Sequence, residues 1–360
     1  MEVDKANLEI AALHAWALRE PESHRVYTVI RLTAKSGAKG YGECGEVSTA
    51  DIEAARKVVV GRPATAIQGV QLALKNVPRV IGGLDVAMLD LIGKAAKAPL
   101  YQILGGPTRN KALALVALHG KTDDDLTASA KTLRASGFRA FMVPLPPALV
   151  RNQGQAFAQT VQHRLDAVLE ATDHCDVVLD GAAALTPGDA RTLAGMLEPS
   201  HMLWFDEPCP MSNLPALRKI SDECVTPLGF GRHFEQPGEV LDALRAEVID
   251  IVRPDIARHG ISQIRRMAAL AESYYVAVGP NHHGGPIGTA AALHLAASIP
   301  NFFIQQIPVP ESDVDRRMRA ELTGGSIEGV KDGFASLPTG PGLGINVSDE
   351  ALDKYKEWTI

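Results

Sequence analysis

Cysteine is scarce: Cys44, Cys175, Cys209 and Cys224 are the only four in 360 residues, and none forms a CxxC spacing. That argues against a structural zinc site and against a disulfide framework. No GxGxxG follows a strand-like run at the right place and no GxxxxGK[ST] occurs, so neither a nucleotide nor an organic cofactor is expected. Neither sign of charge dominates. Lys and Arg total 36 against 42 Asp and Glu, for a net charge of -6 and a pI near 6.0, which gives no reason to expect nucleic acid or an anionic membrane as partner. No apolar run is long enough to cross a bilayer, and no basic segment followed by an apolar stretch opens the chain. These absences predict a soluble, cytoplasmic protein.

The bulk composition is that of a globular chain, with 46% apolar and 22% charged residues. Its length has room for a barrel plus a smaller partner. Residues 1–108 predict an α+β piece. VYTVIRLTA (26–34) alternates and is rich in β-branched residues, and Lys35-Ser36-Gly37 turns it into KGYGECGE, a hairpin. TADIEAARKVVVG reads as a helix from a Thr49 or Asp51 cap to Gly61. A second helix near GLDVAMLDLIGKAAKAPLYQILG carries Leu84, Met88, Leu91 and Ile92 at helical period. Gly105-Gly106-Pro107 breaks the chain and marks the boundary.

From 109 to 324 strand and helix patterns alternate. Strand candidates fall near 112–118, 139–143, 176–180, 202–206, 226–230, 248–253, 275–279 and 302–305. Asp123–Asp125 and Thr186-Pro187 stand where helix starts favour acids and a first-turn proline. The fold class is therefore α/β: a (β/α)7β TIM-like barrel with an N-terminal α+β capping domain. The Gly/Pro-rich tail, 325–360, is expected to pack back on that domain.

The chemistry concentrates between Cys175 and His233. DVVLDGAAALTP, LWFDEPCP and VTPLGFGRH each end an apolar run in a polar group: Asp180, Asp206-Glu207 and Arg232-His233. Polar side chains at the carboxyl ends of successive strands build the active sites of such barrels. Two carboxylates so placed could hold a hard cation, yet the third strand ends in a cation of its own.

With those motifs, and with GYGECGE, VRPDIARHGISQIRRMAALAE, PIGTAAALHLAASIPNF and DGFASLPTGPGLGI, the chain resembles the enolase superfamily over essentially its whole length. The branch is that of mandelate racemase, muconate lactonizing enzyme and the sugar-acid dehydratases. The resemblance implies an active site between capping domain and barrel. It also implies a small carboxylate substrate, a homo-oligomer, and proton abstraction α to the carboxylate with Mg2+ stabilising the enediolate. Asp180 matches the first metal ligand and Asp206 the second, normally a Glu; Arg232 stands at the third, with Glu207 a spare acid. The base lysine corresponds to Met142 or Pro144, neither a proton acceptor. Asp255 keeps the acid of the family's Asp–His dyad, Asn281 stands at its histidine, and Gln306 replaces the eighth-strand acid.

Two readings of the acids follow: Asp180 and Asp206 hold Mg2+, or Arg232 bridges both and replaces the metal, binding the substrate carboxylate itself. A register shift of one residue would bring Phe234 or His233 into the ligand slot instead. His282 and His283, near Asp255, are the candidate acid/base groups. His119 and Lys121 follow the first barrel strand and point to the mouth, with Lys121 a carboxylate contact or a solvated side chain. His24 lies in the segment 17–24 that the family uses for specificity. The expected activity is a lyase or isomerase of dehydratase or racemase type on a hydroxy- or sugar acid; the alternatives are a metal-free variant and a catalytically silent member.

Overall fold

The computed structural model describes residues 8–147 and 154–360, so the first seven residues of the expected capping segment lie outside it. Strands β1 (Ile10–Arg19), β2 (Val26–Ala34) and β3 (Lys39–Cys44) form an antiparallel meander. Helix α1 (Thr49–Val59) is capped by Ser48, one residue before Thr49 and three before Asp51, the two expected caps. Ser48 accepts the Asp51 backbone N–H while the Asp51 carboxylate accepts the Ser48 N–H, so one pair satisfies two donors that the helix start leaves over. Helices α2 (Ile67–Ala73), α3 (Ile81–Ala95) and α4 (Leu100–Ile103) complete the domain. The glycines of GYGEC have a steric cause. A Cβ on Gly42 would sit 1.9 Å from the Gly83 carbonyl oxygen, so α3 lies directly on β3.

The barrel strands alternate with helices in chain order: β4 (Lys111–Ala117), α5 (Asp123–Ala135), β5 (Ala140–Pro144), α6 (Gly154–Ala171), β6 (Asp176–Asp180), α7 (Pro187–Met196), β7 (Trp204–Asp206) and α8 (Leu214–Glu223). Then come β8 (Leu228–Phe230), α9 (Pro237–Arg245), β9 (Ile251–Val252), α10 (Ile256–Glu272), β10 (Ala277–Val278), α11 (Pro286–Ala296), β11 (Gln305–Gln306) and α12 (Asp313–Thr323). Neighbouring strands run parallel, β11 lies beside β4, and a parallel bridge from Val278 to Phe302 closes the ring. The runs read as continuous because both faces are covered. Leu115, Ala140, Met142, Val178, Trp204 and Ile304 fill the interior, while Phe141, Val177, Leu179, Phe205 and Val252 pack outward under the helices.

The register places the site. Pro144 pairs with Asp180, Asp180 with Asp206, and Asp206 with Gly229, so the two carboxylates are direct neighbours at one end of the ring. α3 closes onto that end. A Cβ on Gly82 would meet the Ala257 carbonyl, and Gly260, at φ +63°, leaves no room for a Cβ beside Asp85. The tail first makes a hairpin, β12 (Val330–Lys331) and β13 (Phe334–Ser336), on the outer edge of β4. It then runs through α13 (Asp349–Tyr355) to β14 (Lys356–Thr359), which pairs antiparallel with β1. Among the described residues no helix is long and apolar enough to cross a membrane.

Candidate active site

Arg232 stands two residues beyond β8 and turns its guanidinium between the two strand-end acids. It grips Asp180 through both terminal nitrogens, one at 3.2 Å from Oδ2 and the other in a short contact to Oδ1. Its Nε lies 3.2 Å from Asp206 Oδ2, an ionic contact rather than a hydrogen bond, and neither atom has a hydrogen-bond partner elsewhere. Burial opposes the Arg232 charge, but Asp206 and Asp180 outweigh it and raise the group further above its ordinary range. The loop is set by Glu207. Its Oε1 accepts the backbone N–H groups of Gly231 and Arg232 at 2.7 and 2.8 Å. Burial, then the charge of Asp206, push the Glu207 carboxyl up to about 7. Gly231 is held at φ +133°, and Glu207 itself at φ +43°.

A second guanidinium lies beneath the first. Arg253, wholly buried, donates from Nε to Asp206 Oδ1 at 2.9 Å, from Nη2 to Gln306 Oε1 at 2.7 Å, and from Nη1 to the Gly279 carbonyl. It also stacks over the Trp204 ring at 5.1 Å, and Trp204 Nε1–H donates to the same Asp206 oxygen at 2.8 Å. Two carboxylates and two guanidiniums thus form a floor whose formal charges cancel. A buried charge left without such pairing is the costly alternative.

Above this floor lies a cavity of about 500 Å³ between the two domains. The barrel contributes Arg232, His233, Asp255, Arg258, Asn281 and His283; the capping domain contributes Glu46 and Arg79. Asp255 caps α10 by accepting the Arg258 backbone N–H, and its other oxygen accepts Asn281 Nδ2 at 2.7 Å. Asn281 therefore stands against Asp255 where the family's dyad histidine is expected, and its Oδ1 is buried without a partner. His283 faces the cavity opposite Gln306, whose Nε2 is 3.4 Å from the ring nitrogens. Protein around the ring, with Arg232 and Arg253 opposing Asp255, lowers His283 to about 4, and its exposure to the cavity limits that depression. His233 is exposed and lowered too, by partial burial and by Arg232 and Arg258. Among the described residues the Arg79 and Arg258 guanidiniums have no hydrogen-bonded or ionic partner.

His282 does not reach this cavity. It is buried at the junction of the domains, where its Nε2 donates to the Gly285 carbonyl at 3.0 Å and its Nδ1 faces the Gly284 N–H. Burial drives it down to about 3. Beside it Glu43, from β3, accepts the Gly285 and Gly288 N–H groups at 2.5 and 3.0 Å, fixing the start of α11 against the capping sheet. Three further expected contacts also lie elsewhere. His119 lines a separate cavity of about 510 Å³ with Leu133, Phe138 and Glu311. The Lys121 side chain is exposed, and its backbone N–H belongs to the α5 cap through Asp125. His24 is exposed in a left-handed turn (φ +55°). Glu22 and Ser23 beside it donate to Asp315 of α12, which ties that loop to the barrel.

Arg253, Arg258, Arg79, Glu46 and Glu43 had no part in the expected site. The first two stand in VRPDIARHG and both glutamates in GYGECGE, motifs read for family likeness rather than for charge. A count of strand-end arginines against strand-end acids would have found Arg253.

The donor set does not fit a divalent cation as arranged. Both oxygens of Asp180 are held by Arg232, and Asp206 has one oxygen under Arg253 and Trp204 and the other against Arg232. Among the described residues no three acidic, histidine or cysteine side chains converge as ligands. A hard cation needs about six oxygens, several from the protein.

Comparison with known proteins agrees with this architecture. The mandelate racemase/muconate lactonizing enzyme N-terminal domain matches residues 14–105, and the enolase C-terminal domain-like family matches residues 125–351. A D-xylonate dehydratase from Haloferax volcanii is 26% identical over 91% of this chain and 85% of its own. A D-galactonate dehydratase family member from Streptomyces bingchenggensis is 31% identical over 76% of this chain and 72% of its own. Among solved structures, a mandelate racemase/muconate lactonizing enzyme from Sulfitobacter sp. superposes with a TM-score of 0.88 at 23% identity, covering 97% of this chain and 96% of that one. With both domains matched by family models, the chain belongs to the mandelate racemase/muconate lactonizing enzyme family of the enolase superfamily.

Proposed function

We propose that this protein is a lyase or isomerase of the dehydratase or racemase type that acts on a small hydroxy- or sugar acid, and that guanidinium groups replace the metal in holding the acid. The observation that carries this reading is the Arg232 fork across Asp180 and Asp206, which puts a fixed cation where the resemblance implies a metal. The names of the relatives support the substrate class, since those proteins are dehydratases of xylonate and of the galactonate family.

The chemistry such a site must perform is removal of a proton α to a carboxylate while the developing enediolate charge is stabilised. Arg258 and Arg79, facing the cavity with free donors, bind the carboxylate; guanidinium offers it a planar, two-pronged set of N–H groups. Arg232 adds its charge from the floor. His283, neutral near pH 7, accepts the proton and, as the imidazolium so formed, is the group able to give it back; His233, also neutral, lines the neighbouring side. Asp255, pinned by Asn281, holds the wall between them.

A second reading is favoured by a different observation. Met142 is packed into the barrel interior and Pro144 carries no proton acceptor, so the end of β5 offers no base. A member of this kind would bind acids without turning them over. The two readings part on a panel of aldonic, aldaric and hydroxy acids, assayed for thermal stabilisation and for turnover, with EDTA and with added Mg2+. Turnover that persists in EDTA supports guanidinium chemistry. Turnover that requires Mg2+ sinks it, and stabilisation without any turnover identifies the silent member.

A further inference from the structure

The inference starts from a carboxamide whose orientation the chemistry of its neighbours decides. Gln306 ends β11 in the buried centre of the mouth. A side-chain amide presents an acceptor on one side and a donor on the other, and its correct orientation follows from its partners. Here the first partner is Arg253, which has only donors and is itself immobile. It is wholly buried, bonded to Asp206, Gly279 and Gln306, and stacked on Trp204. The Gln306 oxygen must therefore face Arg253, and its NH2 must face His283, 3.4 Å from both ring nitrogens.

An NH2 group can only donate, and lying at equal distance from both ring nitrogens it meets the ring across its two nitrogens, which must therefore be electron-rich. Imidazolium carries N–H on both nitrogens and would oppose it, dipole against dipole. We infer that Gln306, oriented by Arg253, is a positioning residue that holds His283 as the neutral imidazole at the cavity. The other charged groups around the ring divide evenly. Arg232 at the end of β8 and Arg253 at the end of β9 disfavour the charged form, while Asp255 and Asp180 favour it, and His282 next along the chain is itself buried and neutral. Burial of the ring is the largest influence and already disfavours the charged form; the amide adds to it by direction, not by charge.

This goes beyond the proposed activity, because it concerns the protonation state of one ring and holds whether or not the cavity turns over an acid. A carboxylate at 306 would reverse the effect. It could accept from Arg253 and from imidazolium together, stabilising the charged ring.

The test is an NMR pH titration of protein labelled at histidine Cε1, with the His283 resonance assigned by His283→Gln. In the wild type the resonance should stay at its neutral position down to about pH 5. In Gln306→Glu the midpoint should rise by at least one unit, a tenfold change in the protonation constant. Gln306→Leu, which removes the donor without adding charge and so tests the idea if the Glu variant does not fold, should raise it by roughly half a unit. A wild-type midpoint near the ordinary 6.5, or one unchanged in the variants that fold, overturns the assignment.

Discussion

The barrel mouth divides into two halves that treat charge in opposite ways. On the side of β6, β7 and β8, Asp180, Asp206, Arg232 and Arg253 are paired with each other, and Arg253 is completed by Gly279 and Gln306. On the side of β9 and β10, under the capping domain, Arg79, Arg258, His233 and His283 face a cavity and keep donors or lone pairs unspent. Both halves stand at the carboxyl ends of strands, where this architecture places its chemistry. The difference lies in partners. The first half is an ion cluster finished by the fold itself, and the second is a set of groups that a ligand has to finish. On the proposed function a ligand anion would sit over Arg258 and Arg79, with the ion cluster as its floor.

Removing the floor's cation tests that division most severely. Arg232→Ala leaves Asp180 with no ionic partner and Asp206, wholly buried, with Arg253 alone. Breaking one side of a buried ion pair costs about 3–5 kcal/mol, read as a lower urea midpoint with an unchanged slope. Added Mg2+ should return part of that loss, because the two carboxylates it exposes are then free to bind it. A variant as stable as the wild type, indifferent to Mg2+, would show that the cluster is not a closed unit.

The junction that roofs the open half supplies the second test. Glu43 is buried against the α11 start, and burial raises its carboxyl from 4.5 to about 7, with Gly288, Gly285 and Arg319 holding it back. Between those two values the folded protein binds more protons at this site than the unfolded chain does. Its contribution to stability is therefore complete below pH 4.5 and is lost as pH rises through about 7. His282 and His283 work in the opposite direction over a lower window. Their folded values are depressed to about 3 and about 4, so stability is gained as pH rises toward 6.5. Glu43→Gln isolates the first effect. The stability of the wild type relative to this variant should fall by up to ~3 kcal/mol from pH 4.5 to pH 8. A difference that stays flat across that range would mean that the two backbone N–H groups and Arg319 keep Glu43 ionised throughout.

The ion cluster and the cavity were not equally legible in the sequence. Strand ends announce themselves, since Asp180, Asp206 and Arg232 each stop an apolar run, and the parallel register that makes two of them neighbours follows from consecutive strands. Which polar residue faces which space did not follow. His282 and His283 are adjacent in the chain, yet one is locked against Glu43 in the domain junction and the other enters the cavity. A non-helical segment turns successive side chains in opposite directions, and only the packing of the capping sheet decides which direction is buried. Arg79 shows the same limit from farther away. It lies in a short turn of the other domain, at 78–80, and nothing near it in sequence marks it as part of the mouth. His119 was expected at the mouth because it follows β4, but its side chain lines another cavity with Leu133, Phe138 and Glu311.

The smallest predicted effect is the one most specific to the open half. Arg258 stands in the first turn of α10 with its guanidinium in the cavity and no partner among the described residues. Replacing it by Gln leaves no buried group stranded, so thermal stability should stay within about 0.5 kcal/mol of the wild type. What changes is the affinity for an acid. One charge-assisted contact to a carboxylate, partly screened by solvent, is worth about 1.4 kcal/mol, a tenfold weaker Kd by calorimetry. Raising the salt concentration should shrink the difference between Arg258→Gln and the wild type, because the contact faces an open cavity. The same substitution at Arg232 would lower stability and affinity together. If Arg258→Gln lowers stability while leaving acid binding intact, the roles assigned to the two halves are reversed.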